Sequence, residues 1–294
     1  MSSPETVLRP LRSALYLPAN RAGAVAKARG ADCDAVILDL EDAVAPEAKA
    51  EAREAAIAAM REGGFGERLL VVRINALDSE WGAQDCAALK GSGVAAVLVP
   101  KLSSAEELAQ YRAALGDGPE LWAMLETCAA FLDLPAISAS ANEAGLTTFV
   151  LGTNDLALEM RCTLDTQRSA MRSLLTQSVV AARAYGLSVL DGVFNALEDD
   201  DGFAEQCQQG AALGFDGKTV IHPKQLAAAN AAFAPSDIEI SRAETIVAAF
   251  ASPENAGKGV IRLDGKMVEI LHLKEAQRAL QIRNAIAARA GSAS

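Results

Sequence analysis

VILDLEDAVAPEAKAEAREAAIAAMREG, residues 36–63, joins a short, unbroken apolar run to a long Ala-rich amphipathic segment. A run apolar at consecutive positions is a strand buried on both faces, because a half-exposed strand would alternate. The segment after Pro46 has helical periodicity and closes on Gly63. The stretch therefore reads as one βα unit. Its oddity is the junction, where Asp39, Glu41 and Asp42 crowd three mutually repelling carboxylates onto the end of a core strand.

The same unit recurs along the chain. Apolar, β-rich runs occur at SALYL (13–17), AVILDL (35–40), LLVVRI (69–74), AAVLVP (95–100), LWAML (121–125), TTFVLG (147–152), LSVLD (187–191) and GKTVI (217–221). Helical segments such as TQRSAMRSLLTQSVVAARAYG, with Gly186 as its C-cap, lie between them. Eight units predict an α/β fold, a closed (β/α)8 TIM barrel over residues 1–233. No GxGxxG follows the first strand, which weakens an open dinucleotide-binding sheet. Residues 234–294 read as a helix, hairpin and helix extension, with Asp264-Gly265 as the hairpin turn. That extension is expected to cap the site, in a neighbouring subunit, rather than fold as a domain of its own, since so few residues bury little core.

Composition narrows the partners. A formal charge of −11 argues against a nucleic-acid surface. No apolar run is long enough to span a bilayer, and the N-terminal stretch lacks a signal-peptide core. Five dispersed cysteines, without a CxxC pair, suggest neither zinc nor a disulfide framework and point to a reducing cytoplasm. Arg9, Arg12, Arg21, Lys27 and Arg29 form a local basic cluster suited to an anionic small molecule or simply to solvent.

In a barrel, functional groups stand at the C-terminal ends of the strands. Here those ends carry Asp39, Glu41 and Asp42, then Arg73, Lys101, Glu126, Asp155, Asp191 and His222. Glu126 and Asp155 come from adjacent strands and can converge on a cation. An all-oxygen donor set without a His or Cys cluster favours a hard ion, Mg²⁺, with Mn²⁺ as the alternative. Asp39, Glu41 and Asp42 are then expected to accept hydrogen bonds from the ion's waters; their competing role is to favour the start of the following helix. Arg73 supplies a planar cation for a carboxylate or thioester oxygen, or a salt bridge to the acidic rim. Gly152, Thr153 and Asn154 offer successive backbone N–H groups to a substrate carboxylate. Lys101 can form a Schiff base or an ion pair, and His222 before Pro223 is expected to be a structural corner.

RSALYLPANR, VILDLEDAVAPEAK, VVRINALDSEWG, VLVPK, MLET, LGTNDLA, LDGVF, GFDGKTVIHP and GKGVIRLDGKMV, taken in order, resemble the HpcH/HpaI aldolase and citrate lyase superfamily, in its CitE-like branch. The resemblance implies a Mg²⁺-dependent carbon–carbon lyase acting on malyl-, citramalyl- or citryl-thioesters of CoA or an acyl carrier protein, in trimers or hexamers. It implies Glu126 and Asp155 as metal ligands and Arg73 as the substrate arginine. Glu41 and Asp42 fall near the metal's waters, and Tyr16, Pro18 and Arg21 fall on the CoA side. The aldolase branch carries a His near the second strand; His222 and His272 do not fall there. Thioester-acting relatives commonly read GxMVD before a Pro, the Asp serving as acid/base across the subunit boundary. This chain has GKMVEILHL, with Glu269 at that place.

The reaction so implied is a retro-Claisen cleavage. Arg73 stabilises the thioester enolate, and Glu269 protonates its carbon. The alternatives are a thioesterase on the same thioesters, a Schiff-base aldolase through Lys101, and a non-catalytic subunit that binds an acyl thioester.

Overall fold

The computed structural model describes residues 9–292; residues 1–8, on which part of the expectation about the N-terminal stretch falls, lie outside them. Two compact units are present among the described residues, one spanning Leu11–Phe233 and a smaller one built from residues 234–292 with Arg9 and Pro10.

The larger unit is a closed parallel barrel of eight strands in sequential order. The strands are β1 (Ser13–Pro18), β2 (Ala35–Asp39), β3 (Leu69–Arg73), β4 (Ala96–Val99), β5 (Glu120–Leu125), β6 (Leu146–Leu151), β7 (Ser188–Asp191) and β8 (Gly217–Val220). Helices follow the strands, as a (β/α)8 TIM barrel requires. Closure comes from β1 pairing with β8, Ser13 opposite Lys218 and Leu15 opposite Val220.

Both faces of each strand are buried, in separate clusters. Ala14, Ala35, Ile37, Val71, Leu98, Trp122, Met124, Val150 and Leu190 pack inside the barrel. Val36, Leu38, Val72, Val97, Ala123, Phe149 and Val189 pack outward against the helices. Period-two alternation then decides which strand-end residue faces the mouth. The helix Arg172–Tyr185 ends, as expected, on Gly186 in the left-handed conformation.

The smaller unit contains helices Asp237–Ala251 and Ile270–Ser292 and the hairpin β9 (Val260–Leu263) and β10 (Lys266–Glu269). Asp264 and Gly265 both have positive φ, 48° and 76°, as a type I′ turn demands. Ser236 and Glu239 form a reciprocal capping box at the first helix. Ala243, Ile246, Ile261, Val268 and Ala276 form a small apolar cluster within this unit. Among the described residues no helix is long and apolar enough to cross a membrane.

Candidate active site

Strand pairing places Asp39 directly beside Arg73. Ile37 and Val71, two residues earlier on each strand, face the barrel interior, so Asp39 and Arg73 do too. Nε and one terminal nitrogen of Arg73 donate to the two oxygens of Asp39, both at 2.6 Å. The other terminal nitrogen lies 2.9 Å from Glu41 Oε2, in ion contact, and 3.5 Å from Asp42. The guanidinium also stacks 5.0 Å above the Tyr16 ring. Burial opposes the Arg73 charge, but the Asp39 hydrogen bonds and charge outweigh it and hold its pKa above the ordinary value.

This arrangement corrects the expected role of Asp39. Its oxygens also accept the backbone N–H groups of Glu41 (2.9 Å) and Ala43 (3.0 Å). Four strong donors leave the carboxylate engaged, so Asp39 orients Arg73 rather than the waters of an ion. The crowding of acids at this strand end is relieved by two cations of the chain itself. Arg73 is one. Lys101, whose Nζ lies 2.6 Å from Glu41 and 3.5 Å from Asp42, is the other. Burial lowers the Lys101 pKa, yet the Glu41 hydrogen bond and charge raise it overall. A protonated ammonium is no nucleophile, which speaks against the Schiff-base role.

Glu126, the residue after β5, is buried at 1 % exposure. Its Oε1 accepts the Lys101 backbone N–H at 2.6 Å, and Lys101 adopts φ 50° to present that group. Its Oε2 has no hydrogen-bond partner among the described residues. Burial, then the charges of Glu41 and Asp155, push its carboxyl up to about 8, against the Lys101 N–H and Arg73. A Cβ on Gly152 would sit 2.3 Å from that oxygen, so only glycine lets β6 pass this close. An oxygen without a partner, in a site where carboxylates repel, fits a divalent ion held by Glu126 and Asp155. Among the described residues no group of three or more His, Cys, Asp or Glu forms a metal cage, and Mg²⁺ held by one or two carboxylates needs none.

A cavity of about 300 Å³ is lined by Tyr16, Asp39, Asp42, Arg73, Gly152, Thr153, Asn154 and Asp155 among others. The helix Thr153–Met160 begins at its edge, where first-turn amides have no intrahelical acceptor. Pro18, Arg21, Glu41 and Glu126 are not among the lining residues, and Glu41 and Glu126 are buried. Glu269 belongs to the smaller unit. His222 caps the turn that follows it, its Nδ1 accepting the Lys224 N–H at 3.2 Å, which agrees with a structural corner. The basic cluster is partly consumed, with Arg12 bound to Asp34 and Arg29 to Glu62.

Several contributors carried no signal in the sequence. Met124, Val193, Asn195, Thr219 and Ile221 also line the cavity. Met124 Sδ lies 3.7 Å from Arg73 and 3.9 Å from the Tyr16 hydroxyl. Lys49 Nζ donates to the carbonyls of Leu40 and Glu41, fixing the loop that presents Glu41. Asp191, counted among the rim acids, points the other way: Leu190 faces the interior, so Asp191 faces the helices.

Residues 12–223 match the profile of the HpcH/HpaI aldolase/citrate lyase family. The chain is 44 % identical over 279 residues to a (3S)-malyl-CoA thioesterase of Cereibacter sphaeroides, covering 95 % of this chain and 96 % of that one. It is 31 % identical to an L-malyl-CoA/beta-methylmalyl-CoA lyase of the same species, covering 93 % and 95 %. It also superposes, with TM-score 0.77 and 29 % identity over 94 % of this chain and 100 % of the other, on CitE from Mycobacterium tuberculosis crystallised with magnesium, acetoacetate and coenzyme A. The chain belongs to the HpcH/HpaI aldolase/citrate lyase family.

Proposed function

We propose that this enzyme uses Mg²⁺ to act on a 3-hydroxy-carboxyacyl-CoA thioester of the malyl type. The observation that carries the proposal is the buried Glu126 oxygen without a partner among the described residues, which feels the charge of Asp155 and lies against Gly152 in the wall of the cavity that Arg73 also lines. The magnesium, acetoacetate and coenzyme A held by the M. tuberculosis relative support the ion and the ligand class. Glu126 and Asp155 would hold the ion, which supplies electrostatic stabilisation of negative charge on substrate oxygens.

The chain's own residues do the rest. The Arg73 edge not engaged by Asp39 stabilises charge developing on the thioester oxygen, and it needs no reorganisation because Asp39 fixes the plane of the guanidinium. Amides at the start of the helix Thr153–Met160 receive the substrate carboxylate. Glu41 and Asp42, in ion contact with Arg73 and Lys101, accept hydrogen bonds at the rim. Residues 234–294 cover the site of a neighbouring subunit in a homotrimer or hexamer, and Glu269 serves there as acid/base. Leu132 and Leu158, 88 % and 79 % exposed on the helices Cys128–Leu132 and Thr153–Met160, support such a cover at the mouth.

Two outcomes fit this machinery. Hydrolysis of the thioester is favoured by the 44 % identity to the thioesterase, against 31 % to the lyase. Carbon–carbon cleavage is the second, favoured by the retro-Claisen character of a site that stabilises enolate charge. A panel of malyl-, citramalyl- and citryl-CoA with Mg²⁺, read for free thiol and for keto acid, decides between them. Thiol without keto acid is expected. Keto acid with acetyl-CoA would make the enzyme a lyase, and neither product from any thioester would overturn the proposal.

A further inference from the structure

Behind the wall that β7 and β8 give the cavity lie three charged side chains that the reaction does not use. Asp191 and Lys218 are fully buried and Arg168 is 2 % exposed. Asp191 Oδ1 is 2.5 Å from Arg168, and Oδ2 is 3.2 Å from Lys218 Nζ. Gln209 and Gln206 bind the two cations in turn, at 2.7 and 2.6 Å. Burying three charges costs more than packing apolar side chains of similar volume, so adhesion between strand and helix does not account for them.

Their hydrogen bonds do. Gly192 is the first residue past β7, and the pairing of β7 with β8 ends at Asp191 opposite Lys218. Sheet partners stop there, and the ionic side chains replace them. Asp191 Oδ1 accepts the Gly192 N–H at 2.8 Å, and Lys218 Nζ donates to the Gly192 carbonyl at 2.5 Å. The Thr219 hydroxyl donates to the Asp191 carbonyl at 3.0 Å. The peptide so held is pressed against the site. A Cβ on Gly192 would lie 2.8 Å from Thr153 Oγ1 and 2.9 Å from the Leu151 carbonyl oxygen. Thr153 opens the helix that carries Asp155. Val193 and Asn195, next along the loop, line the cavity, and Asn195 donates to Asn154 Oδ1 at 2.9 Å.

We infer that Arg168, Asp191 and Lys218 are positioning residues that clamp Gly192 and thereby set the wall Gly192–Asn195 against Thr153 and Asn154, fixing where the acyl end of the thioester sits. The role in turnover rests on the function proposed above; the clamp itself does not. Lys218→Met removes the bond to the Gly192 carbonyl at nearly constant volume. Gln206→Leu, which loosens Lys218 without touching Asp191, serves if the first variant does not fold.

Amide hydrogen exchange, calorimetric Mg²⁺ binding and steady-state kinetics on malyl-CoA are measured together. Exchange across 192–195 and 153–154 is expected to accelerate about 10-fold while the β2 amides keep their protection. Mg²⁺ affinity is expected to stay within about 2-fold, and KM to rise about 10-fold with a smaller fall in kcat. Unchanged loop exchange, or acceleration spread evenly over the barrel, would overturn the clamp and leave only a stabilising role. A wild-type protein that neither binds Mg²⁺ nor turns over thioester defeats the functional proposal instead, and the exchange result still decides the clamp.

Discussion

Arg73 is held on several sides before any substrate arrives, and its fork geometry is what Asp39 recognises. Lysine keeps the charge but not the fork. Arg73→Lys is therefore expected to lower kcat about 100-fold while calorimetric Mg²⁺ affinity changes little; equal losses in both would mean that Arg73 supports the ion rather than the reacting oxygen. Glu126 yields a pH test. Its folded carboxyl titrates near 8 against an ordinary 4.5, so the folded state binds the extra proton between those values. Stability of the ion-free protein must then fall as pH rises through that window, by on the order of a few kcal/mol. Denaturation midpoints in EDTA should drop more from pH 5 to pH 8 for the wild type than for Glu126→Gln, and Mg²⁺ should restore the wild type at pH 8. Parallel slopes would show that Glu126 is not the strained carboxyl. The charged strand ends were legible in the sequence because charge on a core strand is rare. The Arg73–Asp39 pairing was not, since it depends on the register between two strands, and Met124 is an apolar residue among apolar residues.

At the scale of the element, the junction of β6 with its helix is the most constrained. Gly152→Ala places a methyl 2.3 Å from Glu126 Oε2. The barrel should survive by circular dichroism, with Mg²⁺ affinity reduced at least about 10-fold as the carboxylate is displaced; wild-type affinity would show that the oxygen has room to move. All eight strands fall within one residue of the runs read from the sequence. Strands buried on both faces are continuously apolar, and turns and helix starts interrupt the runs sharply. That same continuity hides facing. With no polar face to mark direction, the parity that turns Asp191 away from the mouth became visible only when Leu190 was found inside the barrel.

For the whole molecule, the closed topology was readable because eight repeated βα units leave few other arrangements, whereas the small core of the C-terminal unit arises from contacts between helices and hairpin that no local pattern announces. The proposed covering of a neighbour's site by residues 234–294 has a direct genetic test. Glu126→Gln and Glu269→Gln are each expected to abolish turnover, while co-expressed and co-purified mixtures regain it, because some mixed sites receive an intact Glu126 from one subunit and an intact Glu269 from another. Mixtures as inactive as either parent would place Glu269 outside the neighbour's site. The claim beneath all of this is that Glu126 and Asp155 hold the divalent ion on which turnover depends. The decisive measurement is thiol release from malyl-CoA by EDTA-stripped enzyme as Mg²⁺ is titrated back, for wild type and Asp155→Asn. No release without the ion, saturable recovery with it, and a midpoint shifted to higher Mg²⁺ in the variant are expected; full release in EDTA, or an unshifted midpoint, would contradict it.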